Sequence, residues 1–372
     1  MDNLEKDKIV NKFIELVEID SISKNERKMA DSLKKELQKL GFSVKEDNTG
    51  EKIDGNAGNI IAELDGDDSM PTILLSAHMD RVKPGKGVET TIKDGYIYSK
   101  GETVLGGDDI IGVVSILETI KMLQKENYKY PNIIIVFSVA EEIGLLGAKN
   151  LNSSYLEKAD YGIVIDADGR IGKVINKAPG QNKFNAVIKG KAAHAGMEPE
   201  KGVNAIKIAS HAISKMSVGR IDSETTANIG VIRGGSASNI VPDVVELEGE
   251  VRSHNEEKLS NQTNEMKSIL NEYTEQLNGN TEFDIERLYN SFEIDENKEI
   301  IKIVKEAAEK TKLSFKLTSS GGGSDANIYN KKGLATINLG AAMENVHSTE
   351  ERVKISNLLK LIEYLINIIK SF

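Results

Sequence analysis

The sequence predicts an α/β protein, a mixed sheet with helices on both faces, into which a smaller α+β unit is inserted. Three observations carry this prediction. Short apolar strand patterns alternate with longer helical ones up to residue 181, and the alternation returns after residue 290. Between residues 182 and 289 the order changes to strand, helix, strand, strand, helix, strand. The 372 residues also exceed the size at which one hydrophobic core usually stops growing. The expected division is therefore 1–181 with 290–372 as one domain and 182–289 as the other.

The elements follow from apolar spacing. Ile9, Val10, Phe13, Ile14 and Val17 form one helical stripe, and Met29, Leu33, Leu37 and Leu40 form a second. Asn25 is placed to cap that second helix and Gly41 to end it. Strand patterns at 59–64 and 72–77 precede a helix over 109–123, then the β-branched strand 133–139 and an apolar strand 162–165. In the insert, strands at 184–188, 227–232, 244–251 and 282–288 accompany helices at 203–216 and 256–277, leaving one sheet face open to solvent. A helix at 298–310, a strand at 334–339 and a helix at 356–369 complete the chain.

Composition narrows the function classes. Hydrophobic residues at 39% and charged residues at 28% are an ordinary globular balance. A net charge of -10 argues against nucleic-acid or anionic-membrane partners, which need clustered Lys and Arg. With no cysteine, disulfides and thiolate sites are excluded, so a transition metal must be held by His and carboxylates. Residues 1–8 are charged and lack the apolar core of a signal peptide, and no apolar run is long enough to span a bilayer; the expected location is the cytoplasm.

Five features fall where α/β strands end, the place where such sheets form their ligand crevice. In "LLSAHMD" a strand delivers His78, and Asp80 two residues on is placed to accept the second ring N–H of a metal-bound imidazole. In "LGGDDIIG" two glycines allow a tight turn before Asp108 and Asp109; helix capping suffices to explain Asp109. "IIIVFSVAEEIGLLGAK" runs an apolar strand into Glu141 and Glu142, whose repulsion and desolvation call for a cation or a proton. Neighbouring residues there point apart, so one acid can bind metal while the other faces substrate as a base. "GIVIDADG" ends a strand in Asp166, with Asp168 as competitor, and "GAAMENVHSTEER" offers His347 in a polar loop. Two histidines and three carboxylates are a ligand set for a pair of zinc ions, with a shared aspartate able to bridge them. Three carboxylates leave about one positive charge on two Zn2+, which a bridging hydroxide neutralises.

Read in order, "HMD", "GGDD", "AEEIG", "DADG", "HAGMEPEKGVNAI" and "NVHSTEE" resemble the M20 metallopeptidase family, most closely its peptidase T-like branch. The resemblance spans nearly the whole chain. It implies a zinc-peptidase-like sheet domain carrying a lid domain, with two Zn2+ per subunit and Co2+ or Mn2+ as alternatives. His78 and Asp166 would hold one ion, Glu142 and His347 the other, and Asp108 would bridge. Glu141 becomes the general base, a metal-bridging water the nucleophile, and Asp80 the partner of His78. In the lid, His194 corresponds to a histidine that polarises the scissile carbonyl, commonly from a neighbouring subunit. Arg252 and Asn239 match substrate contacts, the planar Arg fork suiting a carboxylate. His211 and His254 read as ordinary helix-face or loop residues. "SSGGGSD" resembles a loop lining the site and lacks the spacing of a phosphate cradle. Arg81 stands where many relatives carry Thr, a change able to alter the substrate pocket or its charge though the sequence does not tell its effect, and "GGDD" replaces the more usual Gly-Ala-Asp-Asp. The implied activity is an aminopeptidase acting on tripeptides or similar short peptides, as a homodimer through the lid. Alternatives are an N-acyl-amino-acid amidohydrolase or carboxypeptidase with the same cluster, and a noncatalytic peptide-binding protein.

Overall fold

A computed structural model describes residues 3–372; Met1 and Asp2, the start of the charged N-terminal stretch, lie outside the described residues. The chain divides into two compact units, one of residues 1–176, 293–320 and 324–372, the other of residues 177–292 with 321–323.

The first unit is built on a nine-stranded mixed sheet with helices on both faces. The strand order is Ser43–Glu46, Ile60–Leu64, Ile133–Ser138, Ile73–His78, Tyr161–Ala167, Thr336–Gly340, Lys173–Ala178 and Phe292–Glu293, with Lys316–Ser319 also pairing Lys173–Ala178. Its four middle strands, from Ile133–Ser138 to Thr336–Gly340, are mutually parallel. Ile73–His78 and Ile133–Ser138 are buried along their whole length, which explains why they read as apolar runs without alternation. The helix Gly107–Lys125 is buried over most of its circumference, lying against Ile73–His78 and Tyr161–Ala167 and between the helices Asn3–Val17 and Ile355–Ile369. It can come so close only because of Gly112: a Cβ there would sit 2.5 Å from the Ile165 carbonyl oxygen and from Asp109 Oδ1.

Two local expectations need correcting. The second helix, Arg27–Lys39, is preceded by Glu26 rather than capped by Asn25, and no side chain caps it. Glu26 instead turns its carboxylate to the N–H groups of Lys24 and Ala140. Gly41, at φ +85, follows the helix as expected. The second correction is an addition, a four-stranded antiparallel sheet in the order Met343–Glu344, Arg352–Lys354, Tyr96–Ser99, Thr90–Lys93.

A buried-edge ion cluster ties Arg27–Lys39 to this unit. Both Glu46 oxygens receive the Arg27 fork, at 2.6 and 3.0 Å, while Lys34 and the Gly58 N–H also donate. Burial alone would raise the Glu46 pKa, but these donors outweigh it and bring it down to about 2. A folded-state pKa below the unfolded one stabilises at neutral pH and is lost as acid protonates the group. Glu46→Gln is thus expected to lower stability by roughly 1–2 kcal/mol at pH 7, allowing for partial solvent screening. In urea melts the gap to the parent should close as pH falls from 4.5 toward about 2; a pH-independent gap would remove this account.

The second unit is an antiparallel five-stranded sheet in the order Gly219–Arg220, Thr225–Gly234, Val244–Ser253, Gly180–Lys189, Asn280–Tyr289. The helices Ala205–Ile213 and Glu256–Gln276 pack their apolar stripes on one face, burying Phe184, Ile188, Leu247, Val251, Leu259 and Met266. Alternation along Val244–Ser253 sends Val245, Leu247 and Val251 inward and leaves Val244 and Glu246 exposed.

Candidate metal centre

The carboxyl ends of the parallel strands bring the expected residues of the first unit together. His78 is the last residue of its strand and pairs in register with Ser138, three residues before Glu141. Asp166 lies in the neighbouring strand, its N–H held by Asn338 Oδ1 at 3.0 Å. Asp168 lies beyond that strand, with its side chain 77% exposed and paired to Lys173 at 2.6 Å.

Asp108 occupies the middle of the cluster. One of its oxygens is 3.1 Å from His78 Nε2 and the other 3.2 Å from His347 Nε2. His347 Nε2 is also 3.0 Å from Glu142 Oε1, and His78 Nε2 is 3.9 Å from Asp166 Oδ1. Each histidine thus faces one Asp108 oxygen and one further carboxylate. Ligand atoms of His78, Asp108 and Glu142 all lie within 4.8 Å of one another, as do those of His78, Asp109 and Asp166. Nitrogen and oxygen donors without sulfur, gathered so tightly, fit divalent zinc, cobalt or manganese.

The backbone is shaped to hold these groups. Ala140 and His347 both adopt left-handed conformations, at φ 50 and φ 62, costing of the order of 1 kcal/mol each. The Glu141–Glu142 turn hangs from Asp80, whose carboxylate accepts the Glu141 N–H at 2.9 Å, the Glu142 N–H at 3.3 Å and the Ser23 hydroxyl at 2.6 Å. This modifies the expected partnership with His78. His78 Nδ1 lies 3.0 Å from the Asp80 backbone carbonyl and 3.4 Å from its carboxylate, so the carbonyl is the better acceptor of a ring N–H.

Asp109 is more than a helix cap. It is fully buried, its backbone is not helical, and its carboxylate accepts N–H groups from Gly112 at 3.1 Å and His78 at 3.3 Å. It clamps the strand end carrying His78 to the start of the following helix.

The electrostatics are those of crowded, buried acids. Burial first, and then the charge of Asp166, pushes the Glu141 and Asp109 carboxyls well up; burial and Asp108 do the same to Asp166. Glu142 is raised by burial although His347 pulls the other way. Burial opposes the charged imidazole of His78, but Asp108 and Asp80 outweigh it and raise its pKa well above the ordinary value. His347, hydrogen-bonded to Asp108 and Glu142, is raised to about 10. Beneath them Asp325 is raised to about 6 by burial, while the Ser138 hydroxyl, which donates to it at 2.5 Å, pulls it down. Cations are the natural relief for such a set.

Within the second unit, His194 and Asn239 share one ladder: His194 bridges Ile240, and the Ala195 N–H donates to the Asn239 carbonyl at 2.9 Å. His194 Nδ1 accepts the N–H groups of Gly196 and Met197 at 3.2 and 3.1 Å, so its ring presents Nε2–H as a donor. Arg252 forms a two-pronged pair with Glu250, at 2.9 and 3.0 Å. Gly321–Gly323 belong to this unit, with the Gly323 N–H donating to the Tyr289 hydroxyl at 3.1 Å. His211 stacks on Tyr273, and the His254 N–H donates to the Glu224 carbonyl.

A mixed α/β sheet with His and carboxylate donors at the ends of parallel strands has the character of a metal-dependent hydrolase. Residues 74–371 match Peptidase family M20/M25/M40. The chain belongs to this metallopeptidase family and is a peptide hydrolase. It is 43% identical to the uncharacterized protein YqjE of Bacillus subtilis (strain 168), over 98% of each chain. Among solved structures it is similar to aminopeptidase PepT from Bacillus cereus ATCC 10987, at 41% identity and a TM-score of 0.92, covering 98% of both chains. It is likewise similar to a tripeptidase from Staphylococcus aureus subsp. aureus Mu50, at 40% identity and a TM-score of 0.95, again over 98% of both. Among the described residues no helix is long and apolar enough to cross a membrane.

Proposed function

We propose that this chain is a dizinc aminopeptidase of short peptides, tripeptides or similar. The observation that carries the reading is Asp108, each of whose oxygens faces a different histidine, at 3.1 and 3.2 Å. In this proposal Asp108 bridges, His78 and Asp166 hold one ion, and Glu142 and His347 hold the other. Bound there, the ion pair would polarise the peptide carbonyl and acidify a water between them.

Glu141 is the proposed base. Its carboxyl is buried among acids, which favours proton uptake, and its N–H is fixed by Asp80. It would take the proton of the attacking water and return it to the leaving amine. On the family resemblance, His194 is proposed as donor to the developing oxyanion, a role that suits a ring presenting Nε2–H. Arg252 and Asn239 are proposed substrate contacts, and a homodimer through the second unit and a cytoplasmic setting are proposed on the same grounds.

The similarity to an aminopeptidase and a tripeptidase supports a free α-amino requirement over the amidohydrolase alternative. The test is a tripeptide assayed beside its N-acetylated form with metal-quantified enzyme. A preference for the free amine on the order of 10^2-fold or more in kcat/KM is expected, since a site built to bind an amine leaves polar groups unpaired without it. Cleavage of only the blocked peptide would overturn the aminopeptidase reading.

A further inference from the structure

Glu351 lies four residues beyond His347 and is 1% exposed. Its carboxylate accepts two backbone N–H groups from the Asp108 turn, Gly106 at 2.7 Å through Oε2 and Asp108 at 3.0 Å through Oε1. These donors need it. Gly106 is left-handed at φ +76 and Asp108 has φ -81 and ψ 104, so the backbone there is not yet helical. A buried N–H without an acceptor loses its hydration with nothing in return, and Glu351 removes that penalty twice.

The same short turn carries both functions. The Glu351 N–H donates to the Ser348 carbonyl at 3.1 Å, folding the loop back so that His347 faces the Asp108 carboxylate while Glu351 holds the Asp108 backbone. Arg81 packs against the same turn. It is 1% exposed, its guanidinium donates to the Val17 and Ile19 carbonyls at 2.7 and 3.0 Å, and it lies against Gly106, where a Cβ would be 2.8 Å from Cζ.

We propose that Glu351 is a positioning residue for the metal pair, fixing through two backbone hydrogen bonds the direction in which Asp108 offers its bridging oxygens. The inference rests on the dinuclear reading of the site. Residues that orient a ligand without touching metal typically contribute 10- to 100-fold to metal affinity.

The test uses the full-length chain, metal-depleted and titrated with Co2+, followed by calorimetry and by the visible absorption of the ion, alongside thermal melts of the metal-free protein. Glu351→Gln keeps the size of the side chain but turns one acceptor into a donor against an N–H. The expected result is a wild type that takes up two Co2+ and a Glu351→Gln chain that still folds cooperatively but melts below the parent, binds Co2+ about 10- to 100-fold more weakly and shows a changed Co2+ spectrum. If Glu351→Gln does not fold, Glu351→Asp, which cannot reach both N–H groups, takes its place with the same readout. Unchanged Co2+ affinity and spectrum overturn the positioning role alone, and failure of both variants to fold overturns it in favour of a purely structural one. A wild type that binds fewer than two Co2+ overturns the dinuclear reading itself.

Discussion

Glu141→Gln is expected to reduce kcat by about 10^2- to 10^4-fold, the range that a positioned general base supplies, while the protein still takes up two metal ions per chain. The two halves of this result separate a base from a ligand. Gln keeps the side-chain volume at a position only 9% exposed and removes a charge that burial and Asp166 already disfavour, so folding should not suffer. Metal uptake should persist because His78, Asp108, Glu142, Asp166 and His347 are untouched. The turn should also keep its shape: the Ala140 N–H rests on Glu26 at 3.0 Å and the Glu141 N–H on Asp80 at 2.9 Å, neither of which involves the Glu141 carboxylate. Kinetics on a tripeptide and elemental analysis of the same preparation check both halves. Near-parental turnover would remove Glu141 from the mechanism, whereas loss of metal would make it a ligand.

Glu141, Glu142 and Asp166 stand out in the sequence for a physical reason, whereas His78 and Asp108 do so only in the company of the other motifs. A charged residue directly after a fully apolar strand stands at the rim of a core, where its desolvation demands compensation. The groups that support them carry no such mark. Asp109 follows Asp108 at a helix start, where a pair of acids is ordinary, and only the three-dimensional fold shows its carboxylate turned to the His78 N–H. Glu351 reads as one more polar residue in "STEER", and its partners Gly106 and Asp108 are 245 and 243 residues away. Glu26 looks like a helix-start residue while its carboxylate reaches Ala140, 114 residues on. Long-range hydrogen bonds of this kind leave no periodic trace.

The same limit applied to part of the fold. The buried parallel strands announced themselves by composition, but the sheet formed by Thr90–Lys93, Tyr96–Ser99, Met343–Glu344 and Arg352–Lys354 uses strands of two to four residues. The sequence does carry one mark of it: Asp94 and Gly95, both at positive φ, form the two-residue turn joining Lys93 to Tyr96. Asp-Gly between alternating residues is among the stronger local marks of a hairpin.

The choice between Asp166 and Asp168 shows how position overrides motif. In "GIVIDADG" the two acids are equivalent by period, since residues two apart share a strand face. The strand, however, ends at Ala167, and Gly169 turns the chain at φ +87. Asp168 is left outside with Lys173, whereas Asp166 remains beside His78 with its N–H held by Asn338. Asp166→Asn should therefore lose about one of two metal ions and at least ~10^3-fold in kcat/KM, because the Lewis-acid contribution of an ion amounts to several kcal/mol of barrier. Asp168→Asn, which breaks only an exposed ion pair, should leave kcat/KM within about two-fold. Metal quantification and tripeptide kinetics on the two variants decide the matter. The reverse pattern, with Asp168→Asn losing the ion, would move the ligand role beyond the strand and require the Gly169 turn to fold back when metal binds.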